Sequence, residues 1–82
     1  DVLAALGTAY LMKNDIKNSI NYFKKIDDDF WERPYVGINY AYASYLNNKK
    51  DTAKEILSEV NQNKLDDWEE YYNQIKNQVG VK

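Results

Sequence analysis

Three consecutive carboxylates, Asp27, Asp28 and Asp29, form the densest group of side chains in this chain that could do chemistry. Carboxylate oxygens are the ligands that calcium prefers in proteins. A calcium-binding loop, however, has acidic residues at alternating positions, a glycine and a terminal glutamate, and this run lacks that pattern. The three residues therefore favour a solvated helix end over a metal site.

Catalytic side chains are scarce, because the chain contains no histidine and no cysteine. Histidine is the commonest general base and metal ligand. Without cysteine, disulfides, thiolate nucleophiles and cysteine-ligated metals are excluded, although the compartment is not fixed. The remaining acid–base candidates are carboxylates, lysines and tyrosines with no recognisable nucleophile–base spacing. We therefore predict that the chain is not an enzyme, has no catalytic residue and binds no metal ion or cofactor.

Tyrosine is by far the most abundant aromatic side chain, at eight residues. It offers a wide apolar surface, a hydroxyl group and little rotamer entropy to lose, so it is common at interfaces. Tyrosines can also stack on single-stranded nucleic acid, but that requires a cationic track beside them. The net charge is −2 and no basic block is present. We therefore expect no nucleic-acid partner.

The composition indicates which elements must hold these side chains. Apolar residues make up 44% and aromatic residues 15% of the chain, as in a folded protein. Three glycines and one proline favour helix over a turn-rich β fold. No apolar run approaches the roughly 20 residues that span a bilayer, so we expect no membrane insertion. The chain begins at Asp1 inside a helical pattern, which suggests a fragment of a longer protein.

Apolar residues recur at helical spacing in five segments, which predicts an all-α domain with five helices. Asn14 or Asp15 can cap the second helix and Asn48 the fourth, while Pro34 suits the first turn of the third. Gly80 is placed to end the last helix. The helices are expected at about 2–13, 16–26, 34–47, 49–60 and 66–79, with Asp66 or Asp67 as the last N-cap.

Each helix has a predicted buried face, and the third is apolar almost all round. A helix of that kind is buried on several sides. The predicted buried residues are Leu3, Leu6, Tyr10 and Leu11 in the first helix, Ile16, Ser19, Ile20, Phe23 and Ile26 in the second, Ala53, Ile56, Leu57 and Val60 in the fourth, and Trp68, Tyr71, Tyr72, Ile75 and Val79 in the fifth.

The first two helices carry a recognisable pattern. Leu6, Gly7, Tyr10 and Phe23 match the motif Trp-x-x-Leu-Gly-x-x-Tyr followed by Ala-x-x-x-Phe, with leucine and serine in place of the tryptophan and alanine. The chain therefore resembles a tetratricopeptide-repeat (TPR) protein. In this pattern Gly7 lies where the paired helices come closest, so added bulk there should force them apart.

A second, weaker copy follows 34 residues later, which is the TPR period. This shift aligns Asn14 with Asn48 and Phe23 with Leu57. Gly37 departs from the pattern, because a large residue is usual at that position. The resemblance implies a right-handed superhelical array of antiparallel helix pairs. It divides a single domain, residues 1–82, into a first repeat (1–33), a second repeat (34–64) and a capping helix (65–80).

The resemblance also implies a protein–protein interaction scaffold, because the first helix of each TPR repeat lines a concave groove. The carboxylate clamp of the chaperone-binding subfamily is missing, and only Asn39 is similar to it. The implied groove is therefore hydrophobic and rich in tyrosine. Carried over by spacing, its lining residues are Thr8, Leu11, Met12, Tyr35, Ile38, Asn39, Tyr42 and Tyr45.

Two kinds of occupant are compatible with such a groove. One is an amphipathic helix or apolar peptide of a partner protein, held mainly by burial of apolar surface. In that case Tyr42→Ala should weaken binding. The other is the protein itself, as a homo-oligomer or a structural module within a longer helical-repeat protein.

Overall fold

The computed structural model describes residues 2–26 and 32–80, and within these ranges it is all-α, as predicted. The second helix ends two residues before the predicted position, at Lys24. The third helix begins at Pro34, as predicted. The helices are α1 (Val2–Met12), α2 (Ile16–Lys24), α3 (Pro34–Leu46), α4 (Lys50–Glu59) and α5 (Glu69–Val79), with 3₁₀ turns at Gln62–Lys64 and Asp66–Trp68.

The ends of α1 and α3 share the same backbone motif. Asn14 has φ 62° and Asn48 has φ 61°, so both adopt the left-handed conformation that ends a helix in a Schellman motif. Asparagine tolerates this conformation better than most residues other than glycine. The two hydrogen bonds of the motif are present at both ends. The N–H groups of Asn14 and Asn48 donate to the carbonyls of Leu11 and Tyr45, both at 3.0 Å. The N–H groups of Asp15 and Lys49 donate to the carbonyls of Tyr10 and Ser44, both at 2.9 Å.

This motif corrects one predicted cap. Asn48 ends α3 rather than capping α4, whose N-cap is Lys49 without a side-chain hydrogen bond. For α2 the N-cap is Asp15, one of the two predicted residues. Its carboxylate accepts hydrogen bonds from the backbone N–H of Asn18 at 3.4 Å and from the side-chain amide of the same residue at 2.8 Å.

The pair α1 and α2 packs around a glycine, as the sequence indicated. A Cβ atom added at Gly7 would lie 2.9 Å from two ring carbons of Phe23, closer than atoms can pack. The Phe23 ring is itself buried and stacks on Tyr40 at a centroid distance of 5.3 Å. The hydroxyl of Ser19 donates a hydrogen bond of 2.7 Å to the carbonyl of Gly7. The backbone of α1 at Gly7 therefore packs directly against side chains of α2.

Helix α3 contributes to both hydrophobic clusters, which confirms that it is buried on several sides. Its Val36 and Ala43 pack with α1 and α2, and its Ile38 and Ala41 pack with α4 and α5. The first cluster is Ala4, Leu11, Ile20, Phe23, Val36 and Ala43. The second is Ile38, Ala41, Ala53, Ile56, Leu57, Val60, Leu65, Tyr72, Ile75 and Val79.

The buried face of α1 differs from the predicted one. The buried residues are Ala4, Gly7 and Leu11, whereas Leu3, Leu6 and Tyr10 are only partly buried. Because the helix approaches α2 through its smallest residues, the stripe of large side chains is rotated away from the centre of the contact. In α2 the buried residues are Ser19, Ile20 and Phe23, and Ile16 and Ile26 are partly buried at its edge. The predicted inner face of α4 is correct.

Helix α5 begins later than predicted. Asp66 to Trp68 form a 3₁₀ turn, so the N-cap of α5 is Trp68 rather than Asp66 or Asp67. As a consequence Trp68 is 42% exposed and Tyr71 is partly buried, although Tyr72, Ile75 and Val79 are buried as expected. Gly80 ends the helix as predicted, with φ 92° and its N–H donating to the carbonyl of Lys76.

Removing the hydroxyl of Ser19 is expected to destabilise the protein by about 1 kcal/mol, the usual net value of one buried hydrogen bond. The matched control is Ser58→Ala, because the Ser58 hydroxyl bonds only within its own exposed helix turn. Urea unfolding followed by circular dichroism measures both changes. Equal stability of Ser19→Ala and Ser58→Ala would show that the bond between α1 and α2 contributes nothing.

Candidate functional site

An open groove lies between α1, α3 and the start of α5, with a volume of about 680 Å³. Its lining contains no charged side chain. The groove is lined by Ala5, Thr8, Ala9, Met12, Tyr35, Asn39, Trp68 and Tyr71.

One wall of the groove comes from α1 and consists of three small residues and a methionine. Ala5, Thr8, Ala9 and Met12 recur at the spacing of one helix face. The two alanines leave space beside the helix, and Met12 at the end of α1 is 81% exposed. Methionine adapts its shape to different apolar partners because its side chain is unbranched and polarisable. This wall can therefore accept large apolar side chains from a second molecule.

The opposite wall is aromatic. The ring of Trp68 lies 5.7 Å from that of Tyr35 and 6.3 Å from that of Tyr71, both in tilted arrangements. Such ring pairs are favourable and hold each other in place. Because Trp68 is 42% exposed while its neighbours support it, it offers a large, oriented apolar surface to solvent.

Asn39 forms the polar base of the groove and is only 7% exposed. Its amide nitrogen donates to the Thr8 hydroxyl at 3.3 Å, and its amide oxygen accepts from the Tyr71 hydroxyl at 2.6 Å. Burial raises the pKa of Tyr71, and the nearby Tyr42 raises it further. Through Asn39 these bonds connect α1, α3 and α5 and fix the distance between the two walls.

Four of the predicted groove residues line this groove: Thr8, Met12, Tyr35 and Asn39. Leu11 and Ile38, also predicted, do not line it, because both are buried in the hydrophobic clusters, with 9% and 0% of their surface exposed. Tyr42 and Tyr45 do not line the groove. Both are partly buried against the core.

The remaining four lining residues were not predicted. Ala5 and Ala9 are too small to attract attention as binding residues, although their spacing with Met12 marks one helix face. Trp68 and Tyr71 were assigned to a buried stripe of α5. The four acidic residues around Trp68 are a sequence signal against its burial, since charged residues are almost never fully buried.

Metal-binding and membrane-spanning features are both missing from the described residues. Between residues 2 and 26 and between 32 and 80, no group of three or more acidic side chains is arranged to hold a metal ion. The run Asp27–Asp29 lies outside these ranges. No helix in the same ranges has the length and apolarity needed to cross a bilayer.

The chain was also compared with known proteins. No protein-family model, curated protein or solved structure matches it. Function is therefore inferred from the groove itself.

Proposed function

We propose that this protein is a non-catalytic binding scaffold whose groove holds apolar side chains from a helix or peptide of a partner protein. The observation that supports this most directly is the exposure of Met12 and Trp68 on opposite walls of one uncharged groove. Large apolar side chains exposed together commonly mark interaction surfaces. Tryptophan is also among the residues most often found to dominate binding energy.

The groove has the features of a site for a short segment rather than for a small polar ligand. Thr8 and Tyr71 both hydrogen-bond to Asn39, so these polar groups satisfy one another within the protein and most of the lining is apolar. Burial of apolar surface contributes about 25 cal/mol per Å². A partner segment with two or three large apolar residues on one face would supply that surface.

We further infer that the fold is a TPR-like array of two repeats and a capping helix. Positions 34 residues apart have matching roles: Asn14 and Asn48 share the left-handed backbone and the same hydrogen bonds, and Ser19 and Ala53 are both fully buried. In TPR proteins the first helix of each repeat lines the groove. The groove here is lined by α1, α3 and α5, which are alternate helices in chain order, as an array of that kind would require.

A second candidate function is self-association within a longer helical-repeat protein. Val2 at the start of α1 is 73% exposed and adds to the apolar surface that Met12 presents at the other end. A second copy of the chain could cover such a surface. Light scattering over a concentration series distinguishes the two, because only self-association raises the molar mass with concentration.

The proposed function is tested by selecting binders from a display library of random peptides and mapping them by NMR. We expect the selected peptides to shift the methyl signals of Ala5, Ala9 and Met12. The methyl signal of Thr52, exposed on α4 away from the groove, should not move.

Failure to enrich any peptide, with a monomer at all concentrations, would contradict the proposal. Shifts confined to α2 and α4 would also contradict it, since they would place the binding surface on the opposite helices.

A further inference from the structure

The groove is uncharged, but the chain on both sides of Trp68, one of its lining residues, is strongly acidic. Trp68, which forms part of the aromatic wall, is flanked in the chain by Asp66 and Asp67 on one side and Glu69 and Glu70 on the other. All four carboxylates are exposed, and together with Asn73 they surround a separate polar depression. Because two of these residues precede Trp68 and two follow it, a segment that binds the exposed Trp68 ring and extends past it meets negative charge.

These carboxylates have no cationic partner within the described part of the chain. Lys64, the nearest lysine in sequence, pairs instead with Glu32 at 2.8 Å. The dipole of α5 is stabilised by acids in its first turn, but only Glu69 and Glu70 lie there. Asp66 and Asp67 precede the helix in the 3₁₀ turn, so helix stabilisation accounts for half of the cluster.

Positive charge near the groove is sparser. Among the described residues, only Lys13 and Arg33 lie within two positions of a groove residue, next to Met12 and before Tyr35 respectively. Lys13 belongs to a separate small depression with Leu6, Ala9 and Tyr10. Along the chain, the four acidic residues beside Trp68 are thus the largest group of like charges next to a groove residue.

We infer that the partner segment is a cationic amphipathic peptide or helix, with large apolar residues for the groove and lysine or arginine beside them. This inference rests on the proposed function, since the carboxylates alone are not a binding site. The apolar groove supplies most of the affinity, and the charges choose among apolar segments. Complementary charge at an interface edge raises the association rate and selects partners more than it adds affinity.

The composition of peptides selected from a random display library tests the inference directly. We expect the enriched peptides to contain more lysine and arginine, and less aspartate and glutamate, than the unselected library. Replacing the lysines and arginines of one enriched peptide by glutamine should weaken its binding about fivefold at low salt, since each exposed ion pair contributes little. The difference should shrink in high salt because exposed charges are screened.

Two matched variants of the protein locate the effect. The first removes three of the four charges beside Trp68 through Asp67→Asn, Glu69→Gln and Glu70→Gln. The control makes the same three kinds of change on α4, through Asp51→Asn, Glu55→Gln and Glu59→Gln, and all three of these residues are exposed away from the groove. Only the first variant should lose the preference for cationic peptides, although both change the net charge equally.

The outcomes separate the inference from the function on which it rests. Enrichment of peptides that bind the groove without a bias in charge would overturn the inference and keep the proposed function. A bias that persists equally in both variants would also overturn it, since net charge would explain the result. No enrichment at all would overturn both. Self-association that shifts the groove signals would identify a second copy as the occupant and overturn the inference.

Discussion

A Gly7→Leu variant is expected to lose about 3 kcal/mol of folding stability, the upper part of the range for overpacked cores. The new side chain would begin at a Cβ position only 2.9 Å from the Phe23 ring. That ring cannot move away, because it is buried and stacked on Tyr40. Relief therefore requires α1 and α2 to separate, which also stretches the bond from Ser19 to the Gly7 carbonyl.

A loss of this size is easily measured in a domain of 82 residues, whose total stability should be about 4 to 12 kcal/mol. Urea unfolding followed by circular dichroism gives the free energy of unfolding. The matched control is Ala5→Leu, which introduces the same side chain in the same helix at an exposed position. We expect the control to unfold within about 0.5 kcal/mol of the parent, as surface substitutions usually do.

A double variant, Gly7→Leu with Phe23→Ala, identifies the cause of the loss. Phe23→Ala alone should cost about 3 to 5 kcal/mol because it leaves a cavity. The leucine introduced in place of Gly7 partly fills that cavity, so the double variant should be more stable than the sum of the two changes predicts. Additive losses would show that Gly7 matters for a reason other than its contact with Phe23.

The contact at Gly7 was predictable from the sequence because it depends on a local pattern. Gly7 lies on an apolar helix face and Phe23 follows in the next helix, and in the TPR pattern this pair marks the close approach of the two helices. The orientation of α1 was not predictable in the same way. Periodicity favours the largest side chains as the buried face, whereas the structure buries Ala4 and Gly7 and leaves Leu6 partly exposed.

The lining of the groove was also predictable only in part. Thr8, Met12, Tyr35 and Asn39 were predicted because the TPR resemblance implies which faces of α1 and α3 point inward. Leu11 and Ile38, predicted by the same resemblance, are instead buried in the two hydrophobic clusters. In a helix buried on several sides, such as α3, neighbouring positions face different clusters.

Trp68 was missed for a structural reason that the sequence conceals. Its spacing to Tyr72, Ile75 and Val79 continues the buried stripe of α5, so periodicity alone assigns it to the core. The 3₁₀ turn at Asp66–Trp68 interrupts that spacing, because such a turn rotates each residue further than an α-helix does. The side chain is thereby directed toward Tyr35 and the groove.

Because Trp68 lies at the edge of the core and contributes to the groove, its removal should affect binding far more than folding. We expect Trp68→Ala to weaken the binding of selected peptides at least about 30-fold, equivalent to the roughly 2 kcal/mol that defines a binding hot spot. The free energy of unfolding should fall by less than about 1 kcal/mol, since the side chain is already 42% exposed. Isothermal titration calorimetry measures the affinity without relying on tryptophan fluorescence.

Tyr22→Ala provides the control for loss of a partly exposed aromatic ring outside the groove. Tyr22 stacks on Tyr10 at a centroid distance of 5.4 Å, on the side of α1 that faces α2. Its removal should lower stability by about as much as Trp68→Ala but leave peptide affinity unchanged. Equal affinity losses in the two variants would mean that the lower affinity results from reduced stability of the fold and not from loss of a binding contact. Unchanged affinity in Trp68→Ala would mean that the aromatic wall is not part of the binding surface, because no other groove residue exposes so much aromatic area.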